Sequence, residues 1–151
     1  MKALIQRVQQ AKVVVDDQTV AKIQQGLLVF IGIAKDDNLD VAKKLLDKVF
    51  KYRIFEDDHG KMGWNVHQAQ GQVLLVSQFT LMANTQKGLR PDFAPAMPPA
   101  DAKALYDALI EYAHQTYVGV ETGIFGADMK VHLVNDGPVT FHLECHSLAV
   151  H

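Results

Sequence analysis

Two short segments carry residues whose types and spacing could do chemistry. The first is Ser77-Gln78-Phe79-Thr80-Leu81, directly after the apolar run Val73-Leu74-Leu75-Val76. Ligands of open sheets gather just beyond strand ends, so hydroxyls and an amide at such an exit are well placed. Ser77 or Thr80 would act as a nucleophile if a base lay near. Backbone N–H groups at the exit could instead point together and hold an oxyanion. An ordinary strand end with polar residues in water explains the same residues. The second segment is Asn135-Asp136-Gly137-Pro138-Val139-Thr140. A bond before proline is where a cis peptide is cheap. A cis bond here would turn the chain sharply and aim successive carbonyls in a chosen direction. Gly137 has no Cβ, so another molecule could approach its backbone closely. A simple hairpin turn accounts for this segment as well.

A third cluster, His142, Cys145 and His146, carries less. A structural zinc would need four ligands, and the cluster reads as chance. Neither a metal nor another cofactor is expected. Cys145 is the single cysteine, so no intrachain disulfide can form, which fits a reducing compartment.

The elements that must position these segments follow from periodicity. Ala3 to Val8 and Lys12 to Val15 read as short strands, Asp16-Asp17 as a turn, and Thr19 to Ile23 as a further strand. Leu27 to Ile33, after Gly26, is apolar on both faces and reads as a central strand. Asp36-Asp37-Asn38 offers N-cap chemistry for a helix from Leu39 to Tyr52, with Val41, Ala42, Leu45, Leu46 and Val49 on one stripe. Arg53 to Phe55 reads as a short strand, Glu56 to Gly63 as a polar loop, and Gln72 to Gln78 as an apolar strand. Asn84 to Pro99 holds Gly88 and four of the five prolines, so it reads as a long loop of the kind that is often functional. A second helix is predicted from Pro99 or Ala100 to Tyr117, with Pro99 in its first turn. Met129 to Val134 and Val139 to Leu143 read as two strands, with Asn135 to Pro138 as the turn between them. The expected fold class is α/β: one domain over residues 1–151 with layered mixed and antiparallel sheets and two main helices. Residues 145–151 are expected to be a tail extension.

The chain has 151 residues, 48% hydrophobic and 21% charged, a globular composition. No stretch approaches the roughly 20 apolar residues of a membrane span. The N-terminus lacks a signal-peptide apolar region, and a cytoplasmic location is the default. The net charge is −2 and the pI about 6.4. A protein that tracks along a nucleic-acid backbone is usually basic, so no DNA partner and no extended RNA footprint is expected. A nucleic acid gripped at one small end remains compatible.

Together the two segments resemble the D-aminoacyl-tRNA deacylase family, also called D-tyrosyl-tRNA deacylase. That family is recognised by a Ser-Gln-x-Thr motif and an Asn-x-Gly-Pro-x-Thr motif near the C-terminus. Further matches are Ile5-Gln6-Arg7-Val8, Gly26-Leu27-Leu28-Val29, Tyr52-Arg53-Ile54-Phe55, Gly60-Lys61-Met62, Arg90-Pro91 and Phe125-Gly126-Ala127-Asp128-Met129. They cover almost the whole chain, in order. The family commonly continues with Asn after Gly-Lys-Met. Here Gly63-Trp64-Asn65-Val66 follows, which puts the local loop geometry in question. Trp64 is expected to pack rather than flank the site.

The resemblance implies a homodimer with one active site at each end of the interface. It implies cleavage of the ester joining a D-amino acid to the 3′-terminal adenosine of tRNA, a form of chiral proofreading. The Gly137–Pro138 bond would be cis and would reach into the partner's site, its carbonyls holding the substrate's α-amino group and leaving no space for an L side chain. Glycine, with no side chain, would also be accepted. Phe79 and Thr80 would offer backbone N–H groups to the scissile carbonyl, with Ser77 and Gln78 beside the terminal ribose. Arg7 would brace the Gly-Pro turn from behind. Phe125 and Met129 would line the adenine pocket. Catalysis would be assisted by the RNA 2′-OH, with the role of the Thr80 hydroxyl open. An acidic protein gripping one adenosine would need few phosphate contacts and show a shallow salt dependence. The competing readings are a Ser/Thr esterase, for which no Gly-x-Ser-x-Gly elbow is present, and a non-catalytic dimeric module that binds tRNA ends.

Overall fold

The computed structural model describes residues 1–147. The elements are, in chain order, β1 (Lys2–Val15), β2 (Gln18–Ile23), β3 (Gly26–Gly32), α1 (Leu39–Lys51), β4 (Phe55–Glu56), β5 (Met62–Trp64) and β6 (Gln72–Ser77). A single 3-10 turn (Phe79–Met82), α2 (Pro99–Thr116), β7 (Val120–Thr122) and β8 (Lys130–Glu144) follow. The expected α/β class with two main helices is observed. Of the tail expected over residues 145–151, residues 148–151 lie outside the described part.

A six-stranded mixed sheet runs β2-β1-β3-β6-β7, with β8 along the other edge of β1. β1 folds back through Asp16-Asp17, whose φ values of 50° and 63° suit a tight hairpin turn. β2 and β3 then return along one edge of β1, pairing with residues 11–15 and 2–8 respectively. β6 adds parallel to β3, and β7 parallel to β6. β3 is buried throughout except for Phe30, as its two-sided apolar run implies.

Both helices belong to one core. α1 is N-capped by Asn38, whose Oδ1 accepts from Val41 N–H at 3.0 Å. The buried residues of α1 are the expected stripe plus Phe50. α2 starts with Pro99 in its first turn and buries Ala102, Tyr106, Leu109 and Ala113. These meet Ala3, Ile5, Leu27, Val29, Ile31, Val73 and Leu75 of the sheet. A smaller cluster on the other side gathers Val8, Val13, Ile23, Leu28, Leu74 and Val76. Asp47 ties the helices, accepting from the Tyr112 hydroxyl at 2.8 Å and the Tyr117 hydroxyl at 2.5 Å. No described helix is long and apolar enough to cross a membrane.

Two expectations are corrected. The runs Ala3–Val8 and Lys12–Val15 are one strand, because β8 pairs with β1 from Lys2 to Val14 and bridges the polar step at Gln9-Gln10. Asn135 to Pro138 is not a hairpin turn. The flanking runs pair with β1 rather than with each other: Lys130 to Asn135 with residues 8–14, and Thr140 to Glu144 with residues 2–6. The segment is a large bulge within β8. The two-residue step from Gln6 to Val8 is answered by a five-residue step from Thr140 to Asn135. Turn-rich composition reads the same in a bulge as in a hairpin, since both bend the chain sharply and leave residues out of the ladder. The short strand expected over Arg53 to Phe55 is found at Phe55–Glu56, as β4, while β5, β7 and the 3-10 turn, of three or four residues each, carry no sequence pattern that announces them.

Candidate active site

Ser77 closes β6, where it pairs with Ile31. The Gln78 N–H still bonds to the Ile31 carbonyl at 2.7 Å, and the chain then winds into the 3-10 turn. Gly32 allows this. A Cβ there would lie 2.8 Å from Leu81 Cβ and 3.2 Å from the Gln78 oxygen. The first N–H groups of such a turn have no internal acceptor. Those of Phe79 and Thr80 take no backbone acceptor among the described residues. Both residues are exposed.

The Thr80 hydroxyl accepts from the Gln78 side-chain amide. Among the described residues neither Ser77 nor Thr80 bonds to a histidine or carboxylate. A side-chain nucleophile needs an oriented base, and this arrangement provides none.

A cavity of about 710 Å³ opens beyond the ends of β3 and β6. Ser77, Gln78 and Phe79 form one wall, and Phe125 and Met129 another. The size and mainly apolar lining suit a small organic group with a few polar anchors. Sequence reading did not name Phe93, Met97 and Pro98, which close a further side. They belong to the proline-rich loop, whose Met97 N–H bonds to the Ile33 carbonyl at 3.0 Å and whose Pro95 carbonyl accepts from Lys35 at 3.1 Å. Tyr106 is a second omission. Its hydroxyl donates to the Leu75 carbonyl at 3.2 Å, and its ring packs on Phe125 at 5.6 Å. Burial, and secondarily Asp107, push its pKa well above the usual tyrosine value. A lone Tyr on a helix face gave no signal of either contact. Gly123 seats Met129, since a Cβ there would lie 2.8 Å from its sulfur.

The second segment has its own scaffold. The Asn135 side chain accepts from Val139 N–H at 2.7 Å and donates to Thr140 Oγ1 at 2.9 Å. The two outer residues of the motif thus clamp the base of the bulge. Arg7 is the one buried charged residue among those described, 8% exposed. Its Nε donates to the Asp136 carbonyl at 3.0 Å and its Nη1 to the Ile54 carbonyl at 2.9 Å. This meets the requirement that a buried guanidinium find acceptors. The Gly137–Pro138 bond is cis and Gly137 has φ 142°. Both residues are exposed at the tip.

The two segments do not meet within one chain. The bulge lies opposite Arg7, which pairs with Leu27, which pairs with Val73, four residues before Ser77. Three strand spacings of about 4.8 Å across and four residues of about 3.3 Å along put them about 20 Å apart. Neither Gly137 nor Pro138 lines the cavity. The remaining candidates lie elsewhere. Trp64 is half-buried against the main core. His142 and His146 both approach Glu144, at 3.7 and 3.0 Å. Among the described residues no three His, Cys, Asp or Glu side chains are arranged so that they could hold a metal ion.

The family model described as D-Tyr-tRNA(Tyr) deacylase matches residues 4–144. A D-aminoacyl-tRNA deacylase from Acinetobacter baumannii (strain AYE) is 68% identical over 144 residues, covering 95% of this chain and 98% of that protein. One from Shewanella halifaxensis (strain HAW-EB4) is 54% identical over 144 residues, covering 95% and 99%. A solved structure titled c-Myc DNA Unwinding Element Binding Protein superposes with a TM-score of 0.93 at 39% identity, covering 97% of this chain and 100% of that one. A probable eukaryotic D-amino acid tRNA deacylase superposes with a TM-score of 0.78 at 16% identity over 94% and 98% of the two chains, a likeness of fold.

Proposed function

The chain belongs to the D-Tyr-tRNA(Tyr) deacylase family and is a hydrolase of D-aminoacyl-tRNA, and from that premise we propose how its two segments divide the work. The terminal adenosine enters the cavity against Phe125 and Met129. Ser77 and Gln78 lie beside its ribose. The ester carbonyl faces the backbone N–H groups of Phe79 and Thr80, which stabilise the negative charge that develops there. The Gly137–Pro138 backbone of a second subunit, held by its Arg7, closes the site, so that the enzyme works as a homodimer. Its carbonyls hold the α-amino group and occupy the space an L side chain needs. The filter reads only backbone, so it tolerates many D-amino acids and glycine. The setting is cytoplasmic, where charged tRNA is used.

One observation carries this reading. The cavity pairs an apolar, nucleoside-sized space with the free backbone donor of Phe79 at one wall and that of Thr80 next to it, while the neighbouring hydroxyls bond to no base among the described residues. That combination suits a reaction in which the substrate supplies its own activating group. The 2′-OH beside the 3′ ester is such a group. The roughly 20 Å between the segments supports action in trans.

The test is hydrolysis of matched D- and L-aminoacyl-tRNA. Release from the D form and from glycyl-tRNA, with the L form spared, is expected. Equal release from D and L would indicate an unselective esterase, and binding without release a tRNA-end module.

A further inference from the structure

A second concavity, of about 410 Å³, lies between the C-terminal end of α1 and β8. Lys48, Lys51 and Arg53 stand around it, with Tyr52, Met62 and Phe141 between them. All three cations are exposed. Among the described residues none of them pairs with a carboxylate. The dipole of α1 favours Lys48 and Lys51, but Arg53 lies past the helix. Its Nε donates to the Gly63 carbonyl at 2.8 Å, which fixes the guanidinium and leaves its other nitrogens unused by that bond. Three unneutralised cations in a chain of net charge −2 are a local excess. Between them Phe141 is 36% exposed and Met62 49%, and the Phe141 ring stands edge-on to Tyr52 at 5.7 Å. Cations that track phosphates, set around an exposed aromatic that can stack a base, are how proteins hold single-stranded nucleic acid.

Position strengthens the case. Phe141 follows Pro138 by three residues on the same strand. Ile54, which also lines the groove, gives its carbonyl to the Arg7 that holds Asp136. The groove therefore opens beside the Gly137–Pro138 turn.

We propose that this groove binds the unpaired 3′ strand of the tRNA substrate, with Lys48, Lys51 and Arg53 on its phosphates and Phe141 against a base. The inference rests on the reading above, in which that turn acts in the neighbouring subunit's site. The subunit that supplies the turn then holds the strand, while the other holds the terminal adenosine. Two or three bound phosphates keep the salt dependence shallow, as an acidic protein requires.

The experiment compares D-aminoacyl-tRNA with the D-aminoacyl ester of adenosine alone, which lacks every upstream phosphate and base. In Lys48→Gln/Lys51→Gln, kcat/KM on the tRNA should fall about tenfold, and its log–log salt slope should flatten by about 1.4, or about 0.7 for each phosphate that is no longer neutralised. Phe141→Ala should lower kcat/KM on the tRNA by about fivefold or more. Both variants should cleave the adenosine ester as the wild type does. Unchanged kinetics on the tRNA, or equal losses on both substrates, overturn the proposal. So does loss of dimer in the double-lysine variant by sedimentation, which would assign the groove to a second copy of the chain. If the wild type cleaves neither substrate, the functional reading fails instead. Anisotropy titration of uncharged tRNA onto wild type and variants then still decides whether the groove binds RNA, with equal affinities overturning it.

Discussion

Arg7 donates from Nε to the backbone carbonyl of Asp136 at 3.0 Å, so a buried guanidinium on β1 holds the residue that leads into Gly137-Pro138. The same side chain reaches the Ile54 carbonyl through Nη1. One planar fork thus spans two backbone segments that no ladder bond joins.

Arg7→Ala should destabilise the protein by about 2–4 kcal/mol, since two carbonyls lose charge-assisted bonds in a buried place. Arg7→Lys keeps the charge but replaces a fork by a point donor, and cannot serve both acceptors in the same geometry. It should keep most of the stability and lose selectivity. Rates on matched D- and L-aminoacyl-tRNA, beside urea unfolding, check this. An unchanged D:L ratio in Arg7→Lys would dissociate Arg7 from the filter.

The Asn135–Thr140 clamp gives a second expectation. Asn135→Ala leaves the Val139 N–H without its 2.7 Å acceptor and Thr140 without its 2.9 Å donor. A cost of about 1–3 kcal/mol follows from the broken bonds. The bulge should become more mobile, while the cavity of the same chain, about 20 Å away by the strand register, keeps its own hydrogen bonds. Amide exchange should rise at residues 135–140, and by more than at residues 77–82, which meet a bulge only across the proposed dimer.

These two relationships show what can be read from sequence and what cannot. β3, α1 and α2 were legible because burial imposes its period on the residues, as in the stripe Val41, Ala42, Leu45, Leu46, Val49. Arg7 was legible as a buried charge in need of acceptors, because it alternates with Ala3 and Ile5. Asn135 to Pro138 was not legible as a bulge, because the difference lies in the partner strand: β1 pairs on both sides of it. The loop residues Phe93 and Met97 reach the cavity only through tertiary packing, and Tyr106 meets its lining only through the Phe125 ring. The gap of about 20 Å between the two motifs follows from sheet order, which local pattern does not carry.

Gly32 sits under the 3-10 turn, with room for no side chain. Gly32→Ala would press a Cβ to 2.8 Å from Leu81 Cβ. The turn must shift, at a cost of about 1–3 kcal/mol from overpacking. The N–H groups of Phe79 and Thr80 move with it, so kcat should fall more than affinity for uncharged tRNA. Equal wild-type and variant single-turnover rates would separate the turn from the reaction.

Tyr106 makes stability depend on alkaline pH. Its pKa is raised by burial first and by Asp107 second, above the ordinary 10.0 of tyrosine. The unfolded chain therefore releases this proton at about pH 10 while the folded chain retains it. The contribution is complete below pH 10 and is lost above it, at about 1.4 kcal/mol per pH unit. Tyr112, through its bond to Asp47, and Tyr117, through burial, shift in the same direction. Tyr106→Phe should cost about 1 kcal/mol at neutral pH and flatten the decline above pH 10. Urea midpoints between about pH 8 and 11 measure both.

Thr80 tests the chemistry itself. Its hydroxyl accepts from the Gln78 amide, and no base is bonded to it among the described residues. If the substrate's 2′-OH does the activating, Thr80→Ala keeps both the backbone N–H and the reaction, and single-turnover rates should fall by no more than about tenfold, or 1.4 kcal/mol. A D-aminoacyl-tRNA ending in 2′-deoxyadenosine should then react far more slowly, by about a hundredfold or more, the usual contribution of a positioned acid–base group. The opposite pattern, near-complete loss in Thr80→Ala with binding intact and full activity on the deoxy substrate, would make the hydroxyl the nucleophile. In that case the base would have to come from outside the described residues of the same chain, as from the second subunit, because no base among those residues bonds to the hydroxyl.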